Sequence, residues 1–440
     1  MHNVISDVVR YDGVPEYDRC AYLIDLIAED LDYEETEVFM SRLDILQHGE
    51  SVAAYFKTVE KRNVAFLLHN VANLQKARAE YDKALKYYNL ALKICLKVLG
   101  REHPDTAAIC NNMALVFYAM GDYDNALKYY GYAMTIREKK LGREHPDTAA
   151  TYGNMAGLFH AKGDYDKALE YYKRDLAICE KVFGREHPST ATTYNNMAML
   201  LSDLGDYERA LEYYERTLRI KESVLGSGHP DVAIVCSNMA GVFSIKGEYD
   251  KALEYHRRTL SIRETVLGKE YREHLDTATT YNNMALVFSD LGDYDKALEY
   301  YSIALKIVRK KLGSEHPNTA AAYHNMAGIF HDQGDYVKAL EYYKHALQIK
   351  ESVLGNEHLD TASTYHNMAI VFHDQGDDGK SLEFFLKAFK IRFAVLSEEH
   401  PDMQDSFNGL VVNYFRLNTG KTESDFEKWF AEQLAMIVKT

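Results

Sequence analysis

Apolar side chains recur three or four positions apart along most of the chain, in runs separated by short polar turns. After His187, one helical face carries Ala191, Tyr194, Met197, Ala198 and Leu201. In the next run, one face carries Ala210, Leu211, Tyr214, Leu218 and Ile220. Gly205 and Asp206 lie between the two runs, where a glycine suits a helix end and an aspartate suits an N-cap. The pattern therefore predicts two antiparallel helices joined by a short turn.

This helix pair is repeated along the sequence. A histidine followed by proline or leucine recurs at His103, His145, His187, His229, His274, His316, His358 and His400, whereas the first copy, from Lys61, lacks this entrance. Successive histidines are 42 residues apart, except for one interval of 45 residues. Such a period indicates a solenoid, in which each unit covers the apolar face of its neighbour. The tripeptide His-Pro-Asp carries function where it stands alone in a co-chaperone loop, but this repetition makes it a structural connector.

The spacing within each copy resembles a known repeat. The small residues Ala198 and Ala210, the aromatic Tyr214, and the aromatic slot of Phe117 and Phe159 have the spacing of the tetratricopeptide repeat. The 42-residue form, with "NNMA" and "LGREHPDTA", resembles the repeats of kinesin light chains and nephrocystin-like proteins. The resemblance covers residues 61 to 415. It implies an all-α fold, a right-handed superhelical solenoid of antiparallel helix pairs with about eight full repeats and caps.

Three segments follow from this pattern. Residues 1–60 do not match the repeat and are predicted to form a helical N-terminal cap or a separate docking segment. Residues 61–399 hold eight copies, and copy five has three extra residues in "GKEYREHLD", which we expect the connector to absorb. Residues 400–440 hold a degenerate repeat and a C-terminal capping helix, whose apolar face carries Phe426, Trp429, Phe430 and Leu434.

Each copy places one asparagine on the face of its first helix opposite the core. These are Asn70, Asn112, Asn154, Asn196, Asn238, Asn283, Asn325 and Asn367. Asparagine is a mediocre helix former, and core packing does not require it there. Kinesin light chains, which this chain resembles, use groove asparagines to bond the main chain of an extended peptide, since an amide both donates and accepts. Alternatively, each amide bonds a neighbouring helix and sets the stacking angle of the repeats.

Other groove positions suggest the character of the partner. Gly157, Gly241 and Gly328 occupy a slot that holds larger side chains in other copies, so they leave room for a bound chain. Acidic side chains on the same surface are Asp203, Asp290, Asp332 and Asp374. A basic or neutral extended segment therefore fits better than an acidic one.

The net charge of −15 argues against nucleic acid and anionic membranes as partners. No apolar run is long enough for a membrane span, and the first residues lack a secretory signal pattern, so a cytoplasmic protein is expected. The five cysteines include no closely spaced pair. Cys110 and Cys236 fill a slot held by tyrosine in other copies and are interpreted as buried apolar residues.

Neither a metal nor a cofactor is predicted. His160, His324, His331, His366 and His373 lie on or beside the groove. However, His324 and His331 are seven residues apart, whereas zinc-binding pairs on helices are typically four apart. Phosphate-binding and nucleophile motifs are absent, so the chain is not expected to be an enzyme.

These features predict a protein-interaction scaffold that holds an extended peptide or a partner helix in its groove. A kinesin-light-chain-like cargo adaptor is an alternative, although residues 1–60 are too short and irregular for the heptad segment that joins those proteins to their heavy chain. A non-catalytic regulatory subunit of an enzyme, or a structural element of a larger assembly, is the other alternative.

Overall fold

The computed structural model describes residues 24–25, 28, 49–54, 57–268, 274–396 and 400–437. These residues form α-helices and turns with no strand, as predicted. The helices are α1 (Arg62–Ala77), α2 (Tyr81–Val98), α3 (Pro104–Ala119), α4 (Tyr123–Lys140), α5 (Pro146–Ala161), α6 (Tyr165–Val182), α7 (Pro188–Asp203), α8 (Tyr207–Leu225), α9 (Pro230–Ile245), α10 (Tyr249–Leu267), α11 (Leu275–Asp290), α12 (Tyr294–Leu312), α13 (Pro317–Asp332), α14 (Tyr336–Val353), α15 (Leu359–Asp374), α16 (Asp378–Val395), α17 (Pro401–Leu417) and α18 (Glu423–Ile437).

The chain divides into two compact units, one up to Val224 and the other from Leu225. In each unit, an odd-numbered first helix packs along the even-numbered second helix that follows it, and that second helix packs against the first helix of the next pair. The predicted inward residues of copy four, on α7 and α8, are all buried. Ala198 and Ala210 are completely covered, because a small side chain lets two helix backbones approach closely.

The turn inside each pair has the chemistry that the sequence indicates. In copy three, Gly163 adopts φ +76°, a left-handed conformation that a glycine accepts at little cost. The N–H of Asp164 then donates to the carbonyl of Phe159, which closes the end of α5. The Asp164 carboxylate in turn accepts from the N–H of Lys167 at 3.3 Å and caps α6.

The connector between pairs uses its histidine as a cap. Nδ1 of His145 accepts a hydrogen bond from the N–H of Asp147 at 3.1 Å, and Pro146 takes the first helical position. The hydroxyl of Thr148 donates to the carbonyl of Gly142 at 2.8 Å, which ties the start of α5 to the end of α4. The recurrent histidine is thus a structural residue, as its repetition predicts.

The described parts of the first segment pack on the first repeat. Ile24, Ala28, Val52 and Ala53 are buried in one apolar cluster with residues of α1 and α2. At the other end, Phe426, Trp429 and Phe430 of α18 make edge and tilted contacts with aromatic rings of α16 and α17. The rest of residues 1–60 lies outside the described residues.

Copy five keeps regular helices on both sides of its three extra residues, because α10 ends at Leu267 and α11 begins at Leu275. Residues 269–273, which complete that connector, lie outside the described residues. Cys110 and Cys236 are buried free thiols, as predicted. Burial raises the pKa of Cys110 to about 11 and that of Cys236 to about 12, so neither is a reactive thiolate.

Candidate functional site

The row of asparagines lies between neighbouring first helices, and several amides bond across the gap. The amide of Asn154 donates to Oδ1 of Asn111 at 3.1 Å, and that of Asn325 donates to Oδ1 of Asn282 at 3.0 Å. In both cases the acceptor stands 43 residues earlier, on the preceding first helix. These asparagines therefore brace the stacking of repeats whether or not they also contact a ligand.

Three further members of the row use the same register or a close variant of it. Asn112 donates to Oδ1 of Asn73 at 3.0 Å and lies 3.3 Å from Nε2 of His69. Asn367 lies 3.0 Å from Nε2 of His324. Asn70 is buried and donates to the carbonyl of Ala28 at 2.9 Å, so it is turned toward the first segment of the chain. Asn238 and Asn283 are half-buried on α9 and α11.

Asn196 differs because the residue 43 positions before it is Gly153, which has no side chain to accept a bond. The Asn196 carbonyl oxygen lies 3.4 Å from the amide nitrogen of its neighbour Asn195. Both Asn196 and Gly153 line an open depression on the faces of α3, α5 and α7. In copy four, the asparagine of the row therefore lines this depression and lacks the acceptor on the preceding first helix that Asn154 and Asn325 use.

The depression has a volume of about 470 Å³. Leu115 and Met199 line it from two first helices, and Tyr118 contributes an exposed ring. Gly157, one of the three glycines predicted to leave room, lies in its floor. A Cβ at Gly157 would meet the Tyr172 hydroxyl at 3.5 Å, which is ordinary contact, so the slot would accept a larger side chain.

A buried carboxylate lies beneath the same floor. A Cβ at Gly153 would come within 2.7 Å of Oδ2 of Asp175, so this glycine is what makes room for the carboxylate. Asp175 accepts hydrogen bonds from the Thr193 hydroxyl at 2.9 Å and the Cys179 thiol at 3.3 Å. Burial raises the pKa of Asp175 to about 6, although these bonds oppose the shift.

The four predicted groove aspartates are all exposed, but they have different surroundings. Asp203 lies 2.6 Å from Nε2 of His160, and Asp374 lies 2.7 Å from Nε2 of His331. Asp290 and Asp332 occupy the equivalent ends of α11 and α13. Among the groove residues predicted from the sequence, the depression brings together Asn154, Gly157, His160, Asn196 and Asp203.

The groove histidines are structural within the described residues. Burial lowers the pKa of His324 and of His366 to about 4, so both are neutral near pH 7. His366 lies 3.2 Å from both the Ser406 hydroxyl and an Arg392 guanidinium nitrogen. No group of three metal-binding side chains occurs in the part of the chain that the structure describes.

A set of buried cations escaped the sequence analysis. Arg137 donates to the carbonyl of Asp147 at 2.8 Å and to the Thr151 hydroxyl at 2.7 Å, which joins a second helix to the next first helix. Arg392 makes the same pair of bonds to Asp402 and Ser406. The signal was present in the sequence, because a cation in the second helix is accompanied by threonine or serine fourteen or seventeen residues later.

The repeat geometry matches a known family along most of the chain. The family model for the tetratricopeptide repeat matches residues 63–139, 106–181, 147–223, 189–265, 276–352 and 319–392. The chain belongs to the tetratricopeptide repeat family. Proteins built from these repeats bind other proteins or peptides, so this chain is a protein-interaction scaffold, and the match indicates no catalytic family.

Several solved structures resemble the chain at low sequence identity. The apo quorum sensor NprR from B. thuringiensis is 16% identical with a TM-score of 0.58, over 85% of this chain and 99% of that one. Aspartyl phosphate phosphatase F from Bacillus subtilis is also 16% identical, with a TM-score of 0.53 over 80% of this chain and 94% of that one. A putative kinesin light chain from Podosopora anserina is 24% identical with a TM-score of 0.42, over 48% of this chain and 98% of that one.

No protein of curated function matches the chain. None of its described helices is both long enough and apolar enough to cross a membrane. The likeness to the solved structures therefore establishes the fold, and it does not identify the partner.

Proposed function

We propose that this tetratricopeptide repeat protein binds an extended peptide segment of a partner protein along its first helices, through the asparagine row. The observation that carries the proposal is Asn196, whose side chain lines a depression and has a glycine, not a polar side chain, 43 residues before it. An amide in that position can donate to a peptide carbonyl and accept from a peptide N–H without reading the side chain.

The braced asparagines also take part in this function. Asn154 uses its amide nitrogen on Asn111, which leaves its carbonyl oxygen for a peptide N–H. One net hydrogen bond contributes about 0.5–1.5 kcal/mol, and ordering an extended peptide removes much of what several such bonds supply. Micromolar affinity is expected, with several asparagines contributing and none dominating.

The charge of the groove selects a basic or neutral segment. Asp203, Asp290, Asp332 and Asp374 are exposed along the surface, and the whole chain has a net charge of −15. Attraction between exposed charges is screened by salt, with a Debye length of about 8 Å at physiological ionic strength. A basic peptide should therefore bind more weakly as the salt concentration rises.

A matched pair of variants tests the proposal. Twelve-residue peptides are enriched from a random phage-displayed library on the full chain, and their dissociation constants are measured by fluorescence anisotropy. Asn196→Ala should weaken binding about tenfold, a loss of about 1.4 kcal/mol, with an unchanged melting temperature. Asn154→Ala should lower the melting temperature, since it removes the bond to Asn111.

The two variants have different consequences for the proposal. If Asn196→Ala lowers the melting temperature and leaves binding intact, the row consists of stacking braces and the groove function fails. If no peptide from the library binds the full chain, the proposed peptide recognition fails as well.

A further inference from the structure

The depression between copies two and four has walls suited to a flat cation. Tyr118 and Tyr165 line it, and each keeps more than a third of its side chain exposed. The Tyr172 hydroxyl reaches the floor beside Gly157. Aromatic rings attract a cation over their faces, and arginine stacks on them better than lysine because its guanidinium is planar and less strongly hydrated.

The charge around the depression is negative. Asp203 stands at the rim and keeps 54% of its side chain exposed while it accepts from His160, so it can receive a second donor. Asp175 lies beneath Gly153. Within the described residues, the lining of the depression includes no lysine or arginine. A partner cation entering here would therefore meet the Asp203 carboxylate, and among the described lining residues the only basic side chain is His160, which is bonded to that carboxylate.

We propose that this depression is an arginine subsite, in which a guanidinium of the bound segment lies against Tyr118 and Tyr165 and donates to Asp203. The proposal rests on the peptide-binding function and makes it specific: the partner carries an arginine where it crosses copies two to four. The Asn196 amide fixes the peptide main chain beside the same depression, so one contact sets position and the other sets side-chain preference.

Gly157 controls access to the subsite. Equivalent positions hold Leu115 in copy two, Met199 in copy four and Leu286 in copy six, so a larger residue suits this helix face. A leucine at 157 would project over the floor into the space that the guanidinium needs. Its Cβ would fit without strain, because the nearest atom is the Tyr172 hydroxyl at 3.5 Å.

The probes are three fluorescein-labelled twelve-residue peptides of alanine, serine and threonine. They differ at one central residue, which is arginine, lysine or citrulline. Citrulline matches the shape of arginine and lacks its charge. Fluorescence anisotropy with the full chain should show the arginine peptide binding about tenfold more tightly than the citrulline peptide, with lysine between them. Gly157→Leu and Asp203→Asn should each remove most of this difference.

Two variants serve as controls. Gly131→Leu makes the same change on the second helix α4, where a Cβ meets nothing within 4 Å, and Asp250→Asn removes an exposed carboxylate from the second helix α10; both positions lie outside the proposed groove. Both should preserve the arginine preference.

The possible results separate the arginine subsite from the peptide-binding function. Equal binding of all three peptides overturns the arginine subsite but leaves peptide binding standing. An arginine preference that survives Gly157→Leu also overturns the subsite. If none of the three peptides binds at millimolar concentration, both the subsite and the groove function fail.

Discussion

Copy three departs from copy two at two buried positions. Its second helix carries Asp175 and Cys179 where copy two carries Ala133 and Arg137. In copy two, Arg137 donates a hydrogen bond to the Thr151 hydroxyl, whereas in copy three the equivalent hydroxyl, of Thr193, donates to Asp175. One polar pairing has thus been replaced by another that buries a carboxylate without a cation.

This replacement has a cost that depends on pH. The pKa of Asp175 rises from an ordinary 3.8 to about 6 in the folded chain, so the folded state holds a proton that the unfolded state has released. The free energy of unfolding contributed by this group is therefore highest below pH 4 and falls as the pH rises to 6. Near neutral pH the loss amounts to about 3 kcal/mol.

Asp175→Ala combined with Cys179→Arg should recover that loss, because it installs the arrangement of copy two. Urea denaturation at pH 4, 5, 6 and 7 should show the double variant gaining stability over the unmodified chain as the pH rises. Asp175→Ala alone should gain less, since it leaves the Thr193 hydroxyl without its acceptor. A stability difference that does not change with pH would contradict this account of Asp175.

At the scale of the helix, the recurrent histidine defines where each first helix begins. His145 has extended backbone angles, φ −81° and ψ 142°, and its ring nitrogen replaces the missing partner of the Asp147 N–H. The usual capping residues do this with an oxygen. The imidazole has an additional role in copy four, where His187 stacks on Phe183 at 4.7 Å between ring centroids.

Removing one such cap should lower the free energy of unfolding by about as much as removing an ordinary N-cap does. His145→Ala should lower the free energy of unfolding by about 1 kcal/mol, whereas His145→Asn should retain most of it, because asparagine also accepts from the backbone. Chemical denaturation of both variants measures the difference. Equal losses in the two would show that the imidazole acts through packing and not through its hydrogen bond.

Helix boundaries were predictable because their signals are local. The Gly163–Asp164 turn and the His145–Pro146 entrance are short motifs that act on their own backbone. The bracing of Asn154 by Asn111 was open between two interpretations, because it depends on how far one helix is shifted along the next. The contact of Gly153 with Asp175 was missed because it joins a first helix to a second helix through a departure in one copy only.

Over the whole chain, buried histidines set the response to acid. Burial lowers the pKa of His69, His256, His324 and His366 to about 4. These histidines therefore bind a proton near pH 6.5 in the unfolded state but only near pH 4 in the folded state. The stability contributed by these groups is complete above pH 6.5 and is lost as the pH falls toward 4. Four histidines outweigh the opposite effect of Asp175.

The chain should consequently lose stability steeply between pH 6.5 and pH 4. His256 is 1% exposed and occupies a slot held by Tyr214 and Tyr301 in other copies. His256→Tyr should reduce the loss by about 3 kcal/mol over this pH range. Thermal or urea unfolding across the range tests both statements, and stability that stays level down to pH 4.5 would contradict them.

The glycine at position 153 has one more consequence. A surface made of identical steps has translational symmetry, so a ligand held only by main-chain contacts could settle at any of several offsets of one repeat with nearly equal free energy. Such degeneracy favours sliding and leaves the bound position undefined. Every other copy has a side chain at the slot of Gly153, whether histidine, asparagine or serine. For the proposed peptide ligand, the missing side chain makes one binding offset different from the others and so defines which part of the ligand lies at copy three.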